Sequence, residues 1–438
     1  MQLGNARIAA PGQPIAVIGA GIGGLAQAGA LATYGIPFRL FEKARQLAEV
    51  GAGTELSPNA VRPLLRLGLG PALLERAVAI EAIEIRTRSG QLVARTTLGA
   101  ECERAYGAPY LTVHRAHLHA ALLSLTDRDR LQLGRRLASV RESEDGALLA
   151  FEDGAVLRAD VAVGADGVHS AVRTAFHRDA PVPSGLVMYR GVLPVAALPA
   201  ATGEPLVRVW LGPGAHFACY PVAAGRQLSF AATIALGDGS IGEPRQLAHV
   251  LAGWHGLAGA IADAAGEVQQ WPVYDRHPLE NWSSRHVTLL GDAAHATLPF
   301  LAQGTSQAIE DAFELASCLA DAPVSGAGAA FDASAGLARY AARRIQRTSA
   351  IQRTARQAAA TLHLPDGPAQ GRRYAQLTGC GELSELEPLF GYHAGQHTPP
   401  TTSRTAELAS TQTIVVRGHR NRTCRGQENP NLEMSRNG

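Results

Sequence analysis

The chain has 438 residues, of which 46% are hydrophobic and 18% charged, so it is too long for one small domain and too apolar to be disordered throughout. Its formal net charge of +2 argues against a nucleic-acid partner, which would need a concentrated positive surface. The five cysteines are scattered without CxxC pairs, and no apolar run suits a signal peptide or a membrane span. We expect a soluble cytoplasmic protein of two intertwined domains, without a metal, nucleic-acid or membrane partner.

The first predicted unit is a βαβ motif. A short apolar run, Ile15–Ile18, leads into a glycine cluster, an Ala- and Leu-rich helix and a second strand. Gly19, Gly21 and Gly24 form GxGxxG directly after the strand and at the start of the helix, an arrangement that binds a dinucleotide pyrophosphate. Glu42 closes the second strand, where an acidic side chain accepts hydrogen bonds from ribose hydroxyls. The motif alone leaves both NAD and FAD open.

The next part of the chain alternates helices and strands. Apolar spacing predicts helices over residues 59–67 and 118–125, and strands of a second sheet over residues 82–95. Alternation on both sides of Asp153-Gly154 predicts a hairpin. Residues 159–163 form a continuous apolar run, as expected for a buried parallel strand.

The middle of the chain, residues 181–278, has a different character. It is rich in Pro, Gly and Trp, and its β-like runs cover residues 206–211, 216–222 and 227–234. We expect an antiparallel sheet that covers a pocket.

The last third returns to the earlier pattern. We predict a buried strand over residues 286–290, then helices over residues 305–319 and 335–362. Residues 396–438 carry six arginines against three glutamates and few large apolar side chains. We expect a disordered tail there, and since the tail holds this positive excess, the remainder of the chain is slightly acidic.

Two further loops follow predicted buried strands, and they distinguish between FAD and NAD as the bound cofactor. One presents Asp166 and the other Asp292, and the second leads to Gly304 and Thr305 at a helix N-terminus. An extended FAD needs contacts along its whole length, whereas a nicotinamide dehydrogenase has no evident use for these late loops. The helix dipole and N–H groups at Gly304 and Thr305 can stabilise negative charge on a reduced flavin ring.

With these three segments, GAGIGG, GADGVHSAVR and GDAAHATLPFLAQG, the chain resembles the class A FAD-dependent aromatic hydroxylases over residues 14–395. Three other stretches, YGAPYLTVHRAHLH, HFACYP and HLPDGP, are similar to segments of salicylate hydroxylase, 3-hydroxybenzoate 6-hydroxylase and 6-hydroxynicotinate 3-monooxygenase. A disulfide reductase has two dinucleotide-binding domains and a redox cysteine pair. This chain has a single GxGxxG after a strand and no such pair, which disfavours that class.

The resemblance implies an α/β fold with a Rossmann-type FAD-binding domain built on a parallel sheet, an inserted antiparallel β-sheet domain for the substrate, and a C-terminal helix. We assign residues 12–80, 105–180 and 278–350 to the FAD-binding domain, residues 81–104 and 181–277 to the substrate domain, and residues 351–395 to the C-terminal helical segment.

The resemblance also implies cofactor contacts. Glu42 would bind the adenosine ribose, Arg115 the FAD backbone with Leu137 packing nearby, and Asp292 a ribityl hydroxyl, while Asp166 would serve the flavin and the nicotinamide. For Arg115 a surface salt bridge is the alternative. The predicted FAD-binding residues are Gly19, Gly21, Gly24, Glu42, Lys43, Arg115, Leu137, Asp166, Asp292, Gly304 and Thr305.

Catalytic candidates come from the middle sheet. His216 and Tyr220 are four residues apart, so in a regular strand they point to the same face, which the resemblance places over the flavin. A neutral His216 could accept a phenolic proton and activate the ring; the alternative is a core histidine. Gln303 could orient the substrate hydroxyl.

Four other residues are weaker candidates. We interpret His295 as structural and expect Glu55 to face solvent. Arg190 and Arg276 are possible partners for a substrate carboxylate, although most such arginines form structural ion pairs.

The activity that the resemblance implies is hydroxylation of a phenolic aromatic acid of the salicylate, hydroxybenzoate or hydroxynicotinate type. NADH or NADPH would reduce FAD, O₂ would form a flavin C4a-hydroperoxide, and its distal oxygen would be transferred to the ring. The alternatives are a flavin monooxygenase acting on a nonphenolic or larger ring, and a flavin-binding regulatory protein without turnover. We expect a monomer or a homodimer.

Overall fold

The computed structural model describes residues 14–47, 51–199, 203–235, 245–322, 333–378 and 381–396. After Gln396, the expected disordered tail lies outside the described residues. The strands, in chain order, are β1 (Ile15–Ile18), β2 (Phe38–Glu42), β3 (Gly53–Leu56), β4 (Val78–Ala79), β5 (Ala82–Thr87), β6 (Leu92–Thr97), β7 (Leu111–His114), β8 (Leu131–Leu133), β9 (Leu137–Ser143), β10 (Gly146–Phe151), β11 (Val156–Ala159), β12 (Ala162–Gly164), β13 (Val182–Pro194), β14 (Leu206–Gly212), β15 (Ala215–Val222), β16 (Gln227–Ala235), β17 (Arg245–Gln246), β18 (Glu267–Val268), β19 (Gln270–Asp275) and β20 (Val287–Leu289).

The helices, in chain order, are α1 (Ile22–Thr33), α2 (Pro58–Arg66), α3 (Gly70–Arg76), α4 (Gly99–Tyr106), α5 (Arg115–Leu123), α6 (Leu247–Val250), α7 (Leu257–Ala265), α8 (Asp292–His295), α9 (Gly304–Ala320), α10 (Ala333–Leu362), α11 (Pro368–Thr378) and α12 (Glu387–Phe390). None of these helices is long and apolar enough to cross a membrane.

A parallel sheet with strand order β20-β12-β1-β2-β8 lies at the centre of the main hydrophobic core and combines strands from both halves of the chain. All four residues of β1 are buried, because helices and the β9–β11 meander cover the sheet and leave no polar face. The meander contacts β2 through Phe41 and Phe151, whose ring centroids are 5.1 Å apart. Helix α1 packs against α9, so two helices that begin at strand-end loops lie side by side.

The predicted strand over residues 159–163 is wrong as a single element. Residues up to Ala159 belong to the antiparallel meander, and Ala162 starts the parallel strand β12. The apolar run is continuous because both segments are buried, and hydrophobicity alone cannot show where the chain passes from one sheet to the other.

A second sheet has the order β19-β13-β16-β15-β14-β5-β6. The expected antiparallel pairing holds for its neighbours except β14 and β5, which run parallel. The exception arises because the early β5–β6 hairpin attaches to the edge of a sheet otherwise made from the middle of the chain. The predicted fold class is confirmed, whereas the domain boundaries stay a prediction.

A small antiparallel sheet of order β3-β7-β4 packs on the second sheet. The backbone N–H of Gly53 donates to Ser229 Oγ at 2.8 Å, and Thr112 Oγ1 donates to the carbonyl of Pro221 at 2.6 Å. A Cβ at Gly53 would lie only 2.5 Å from the Tyr220 ring. This close approach requires a glycine.

Helix α10 runs from α9 to the second sheet, and its bounds are close to the predicted ones. In the first half of the helix, Arg344 is fully buried and pairs with Glu310 and with Asp311, the latter at 2.6 Å. Beyond its last residue, His363 lies against His216 of β15. The helix therefore connects α9 with the second sheet.

Candidate active site

A cavity of about 430 Å³ lies between the parallel sheet and the second sheet. Its size is within the range of cofactor and ligand sites. Its lining includes Gly21, Gly53, Glu55, Arg115, Gly167, Met188, Arg190, His216, Ala218, Tyr220, Ser229, Asp292, Phe300, Gly304 and Thr305. The structure thus brings together Gly21, Arg115, Asp292, Gly304, Thr305, His216 and Tyr220 from the predicted set.

The glycine loop after β1 is held tightly against its neighbours. Gly19 has a φ of +105°, and a Cβ there would lie 2.4 Å from the carbonyl oxygen of Ala165. A Cβ at Gly24 would lie 1.8 Å from the carbonyl oxygen of Gly19. Gly21, in contrast, faces open space on the cavity wall. The loop therefore presents backbone at the N-terminus of α1 to the cavity.

Glu42 supports this loop from the end of β2. Its carboxylate accepts hydrogen bonds from the backbone N–H groups of Ala20 at 2.8 Å and Ala44 at 2.9 Å. A carboxylate has further acceptor capacity, so these bonds leave room for ribose hydroxyls. Lys43 is exposed, and Leu137 lies in the hydrophobic core away from the cavity lining.

Asp166 organises the loop after β12 instead of lining the cavity. Its Oδ2 accepts from the backbone N–H groups of Ala171 at 2.7 Å and Val172 at 3.2 Å. Burial raises the pKa of this carboxyl, and the hydrogen bonds oppose that rise. The neighbouring Gly167 does line the cavity.

The third loop places charge on the cavity wall. Asp292 is exposed to the cavity, and Arg115, the first residue of α5, lies within electrostatic range of both Asp292 and Arg190. Gly304 and Thr305 start α9, so its N-terminal N–H groups face the same space. A Cβ at Gly304 would meet nothing within 4 Å.

His295 is structural, as expected. Its Nε2 lies 2.6 Å from Asp311 Oδ2, which also accepts from the backbone N–H of Gly291 at 2.9 Å. Although burial opposes it, His295 and Arg344 lower the pKa of Asp311 to about 2. This buried pair fixes the start of the loop that carries Asp292.

The face of β15 over the cavity is formed by His216, Ala218 and Tyr220, which confirms that His216 and Tyr220 share a face. His216 is 7% exposed, and its Nδ1 lies 3.0 Å from Nε2 of His363. Burial and His363 lower its pKa to about 3, so the ring is neutral. The Phe300 ring meets it edge-on at 5.3 Å between centroids.

Glu55 does not face solvent, and that expectation is wrong. It lies on the cavity wall beside Tyr220, and its Oε2 accepts a hydrogen bond from the Tyr110 hydroxyl at 2.6 Å. Burial raises the pKa of Glu55, and the Tyr110 bond opposes the rise. Burial likewise raises the pKa of Tyr220, whose hydroxyl therefore stays protonated and can donate.

The structure does not bring Gln303 into the cavity. Its amide donates to Ser57 Oγ at 2.9 Å and accepts from Asn59 and Gln307, between α2 and α9. All of its polar atoms serve this buried network, and they do not reach the space beside His216.

The two candidate arginines differ. Arg276 is buried, pairs with Asp179 at 3.1 Å and donates to the carbonyl of Val168, so it is structural. Arg190 lines the cavity. Only Arg190 of the two is placed to meet a bound carboxylate.

Sequence reasoning missed His363 and Phe300 as neighbours of His216. His363 belongs to HLPDGP, a segment singled out above without a role, and Phe300 lies in the third glycine loop. No sequence pattern predicts that either residue contacts His216, because residues far apart in the chain meet there only through tertiary packing.

The cavity fits FAD in its chemistry. The N-termini of α1 and α9 both face it, with open space at Gly21 and Gly304 for a ligand to approach the backbone. Helix N-termini favour phosphates and other negative charge. Arg115 adds a positive group, and Asp292 can accept from hydroxyls.

The fold and this site are those of a flavoprotein, and comparison with known proteins gives the class. The FAD binding domain family matches residues 13–355, and the chain belongs to it. The resemblance to FAD-dependent aromatic hydroxylases is confirmed: the protein is an FAD-dependent monooxygenase with a reduced nicotinamide as co-substrate.

Individual relatives refine this class. The chain is 42% identical to 3-amino-4-hydroxybenzoate 2-monooxygenase of Streptomyces cremeus, over 87% of this chain and 95% of the relative. It is 34% identical to 6-hydroxynicotinate 3-monooxygenase of Bordetella bronchiseptica, over 78% and 90%. Among solved structures, Klebsiella pneumoniae HpxO with FAD and uric acid is similar with a TM-score of 0.75 and 26% identity, covering 91% of this chain and 97% of that one.

Proposed function

We propose that the protein hydroxylates a hydroxybenzoate-type acid, with 3-amino-4-hydroxybenzoate as the first candidate. The observation that carries the proposal is one cavity that joins the glycine loops to the polar face of His216 and Tyr220 and to Arg190. The amino-hydroxybenzoate is favoured because the Streptomyces cremeus relative is 42% identical over most of both chains.

When bound, FAD takes electrons from the reduced nicotinamide and activates O₂. On this proposal Gly19, Gly21 and Gly24 shape the pyrophosphate site, and Glu42 holds the adenosine ribose. The other predicted contacts, Lys43, Arg115, Leu137, Asp166, Asp292, Gly304 and Thr305, keep the roles given above. Of these, Leu137 and Lys43 have the least support, because neither lies on the cavity wall.

The chain's own residues bind and activate the substrate. Arg190 pairs with the ring carboxylate, which would otherwise be desolvated without a partner. Tyr220 donates a hydrogen bond to the bound acid, and His216 accepts the phenolic proton, so that the ring becomes electron-rich where oxygen is transferred. Phe300 and Met188 supply apolar wall, which excludes water from the reaction.

The test is a substrate panel on the purified holoenzyme. NADH and NADPH oxidation is measured with 3-amino-4-hydroxybenzoate, 4-hydroxybenzoate, 3-hydroxybenzoate, salicylate and 6-hydroxynicotinate, with benzoate and 3-aminobenzoate as controls that lack the hydroxyl. We expect stimulation by a phenolic acid and an equal amount of product containing one added oxygen. Stimulation only by benzoate or 3-aminobenzoate would replace the phenolic substrate class with a nonphenolic one, and none at all would overturn the proposed activity on single-ring acids.

Arg190 can be tested with substrates that differ only in the carboxylate. Arg190→Met should raise KM for 3-amino-4-hydroxybenzoate about tenfold or more, because a charge-assisted bond is lost. With 2-aminophenol, which has no carboxylate, the variant and the wild type should behave alike. An unchanged KM for the acid would remove Arg190 from the binding site.

We place the reaction in the cytoplasm, where reduced nicotinamides are available. This location and the monomeric or homodimeric state stay predictions.

A further inference from the structure

His363 lies next to His216 but outside the cavity lining. It follows the last residue of α10, and its Nδ1 lies 2.7 Å from the carbonyl oxygen of Ala359. A carbonyl oxygen only accepts hydrogen bonds, so we assign the proton of the neutral His363 ring to Nδ1, which makes this short contact. In the neutral ring, Nε2 of His363 is then a lone-pair acceptor.

This assignment fixes the tautomer of His216. Because His363 Nε2 accepts, the His216 nitrogen 3.0 Å away, Nδ1, must be the donor. The lone pair of His216 is then on Nε2, the nitrogen left for a ligand in the cavity. The hydrogen-bond chain from Ala359 through His363 thus prepares His216 to accept a proton.

His216 alone is a poor place to keep that proton. Its ring is almost fully buried, and burial together with His363 lowers its pKa to about 3. His363 is half-buried. Burial also lowers the pKa of His363, but the carbonyl groups of Ala359 and Thr233 oppose this, because they favour its protonated ring.

Arg373 of α11 is the charged group that faces His363 within the described residues. Its Nη1 donates to the carbonyls of Thr361 at 3.0 Å and Leu362 at 3.2 Å. Arg373 therefore caps the end of α10 and also disfavours a positive His363. Phe300, packed against both imidazoles, is uncharged.

Resting on the proposed function, we propose that His363 is a positioning residue that holds His216 in its acceptor tautomer and takes over the proton from the substrate hydroxyl. The phenolic O–H bond breaks and an Nε2–H bond forms on His216. At the same time the Nδ1–H bond of His216 breaks and an Nε2–H bond forms on His363. The oxygen keeps the electron pair as a phenolate, and the positive charge moves to His363.

Two substitutions separate orientation from proton transfer. His363→Gln places an amide oxygen that can accept from His216 Nδ1, but it cannot carry the proton, whereas His363→Leu does neither. Thr361→Ala is the matched control, because Thr361 lies at the same helix end and its hydroxyl donates to the carbonyl of Gln357, away from both imidazoles. FAD content and Tm are measured for every variant to exclude general unfolding.

With 3-amino-4-hydroxybenzoate near pH 7, we expect kcat to fall about tenfold to a hundredfold in both His363 variants. KM should change little in His363→Gln and rise in His363→Leu. The loss should shrink as the pH rises toward the pKa of the substrate hydroxyl, because a pre-formed phenolate needs no acceptor. Thr361→Ala should match the wild type. Wild-type turnover at pH 7 in either His363 variant overturns the proposal.

A measurement without turnover separates this inference from the proposed function. The ultraviolet difference spectrum of 3-amino-4-hydroxybenzoate bound to the oxidised holoenzyme, without NADH, reports its ionisation. We expect the phenolate band at a lower pH in the wild type than in His363→Leu. Equal spectra with normal wild-type turnover overturn only the role of His363. A wild type that binds no phenolic acid overturns the proposed function and this inference with it.

Discussion

A half-buried carboxyl forms part of the cavity wall at Glu55. Because burial raises its pKa above the value in the unfolded chain, the folded protein prefers the protonated form. The contribution of Glu55 to stability is therefore fully present at acidic pH and is lost as the pH rises through the folded pKa. At neutral pH the carboxylate opposes folding.

Glu55→Gln should therefore raise Tm at pH 8 by about 1–3 °C, and the gain should shrink toward pH 4.5. Glutamine keeps an acceptor for the Tyr110 hydroxyl. Tyr110→Phe is the partner variant: it removes the bond that favours the charged form, so the wild type's loss of stability with pH should become steeper. The measurement is a thermal melt of the holoprotein across pH. A lower Tm of Glu55→Gln at pH 8 would show that the cavity stabilises the carboxylate.

Contacts between individual side chains are the part of the structure that the sequence predicts least well. That His216 and Tyr220 share a face follows from the two-residue period of a strand, and the structure agrees. The Glu55–Tyr110 and His216–His363 contacts have no such signature, because tertiary packing sets which strand or helix end meets which. Gln303 shows the reverse: its position before a helix indicated the cavity, but neighbouring amides and hydroxyls take all of its bonds.

At the scale of elements, α9 and α10 are joined by charge as well as by apolar packing. Arg344 is fully buried and pairs with Glu310 and Asp311, and Arg347 also bonds Glu310. Removing one partner of a buried ion pair strongly destabilises a protein, because the remaining charged group stays buried without a partner. The sequence predicts both helices from their apolar spacing, but not this pairing.

Arg344→Ala should lower the free energy of unfolding by about 3–5 kcal/mol, because it leaves two buried carboxylates short of a partner. The matched control is Arg343→Ala, one residue away. Arg343 has a side chain 32% exposed and pairs at 3.2 Å with the buried Glu314. Glu314 also accepts from the Tyr392 hydroxyl and the Gly395 N–H, so it keeps two donors in Arg343→Ala and the loss should be only about 1 kcal/mol. Urea denaturation of both variants checks the contrast. Equal losses would mean that the buried network around Arg344 adds little beyond the single, half-exposed pair of Arg343.

At the scale of the whole molecule, one wall of the cavity depends on the contact between the small β3-β7-β4 sheet and the second sheet. The Gly53 N–H is buried and is satisfied by Ser229 Oγ of the second sheet. Tyr220, next to both, is a proposed substrate-binding residue. Stability and site geometry are therefore coupled at this joint.

Ser229→Ala should cost about 1–3 kcal/mol, because it leaves a buried backbone N–H without an acceptor. Thr233→Val, on the same strand, is the control: the Thr233 hydroxyl is buried with no hydrogen-bond partner among the described residues, so its removal should leave stability unchanged or higher. The shift in the urea midpoint measures both. A neutral Ser229→Ala would mean that water or another group replaces the hydroxyl at this joint.

The order in which the walls of the cavity are synthesised has a consequence for how the protein acquires its cofactor. The glycine loop at Gly21 leaves the ribosome early, but strand β20 and the residues Asp292 and Gly304 follow only in the last third of the chain. In the parallel sheet, β1 reaches β20 only through β12, so these contacts are remote in sequence and slow to form. A nascent chain that ends before Thr305 lacks one side of the flavin site. A chain that stalls before Thr305 therefore cannot offer the complete cavity to FAD, and we expect the cofactor to be held only after α9 has been synthesised.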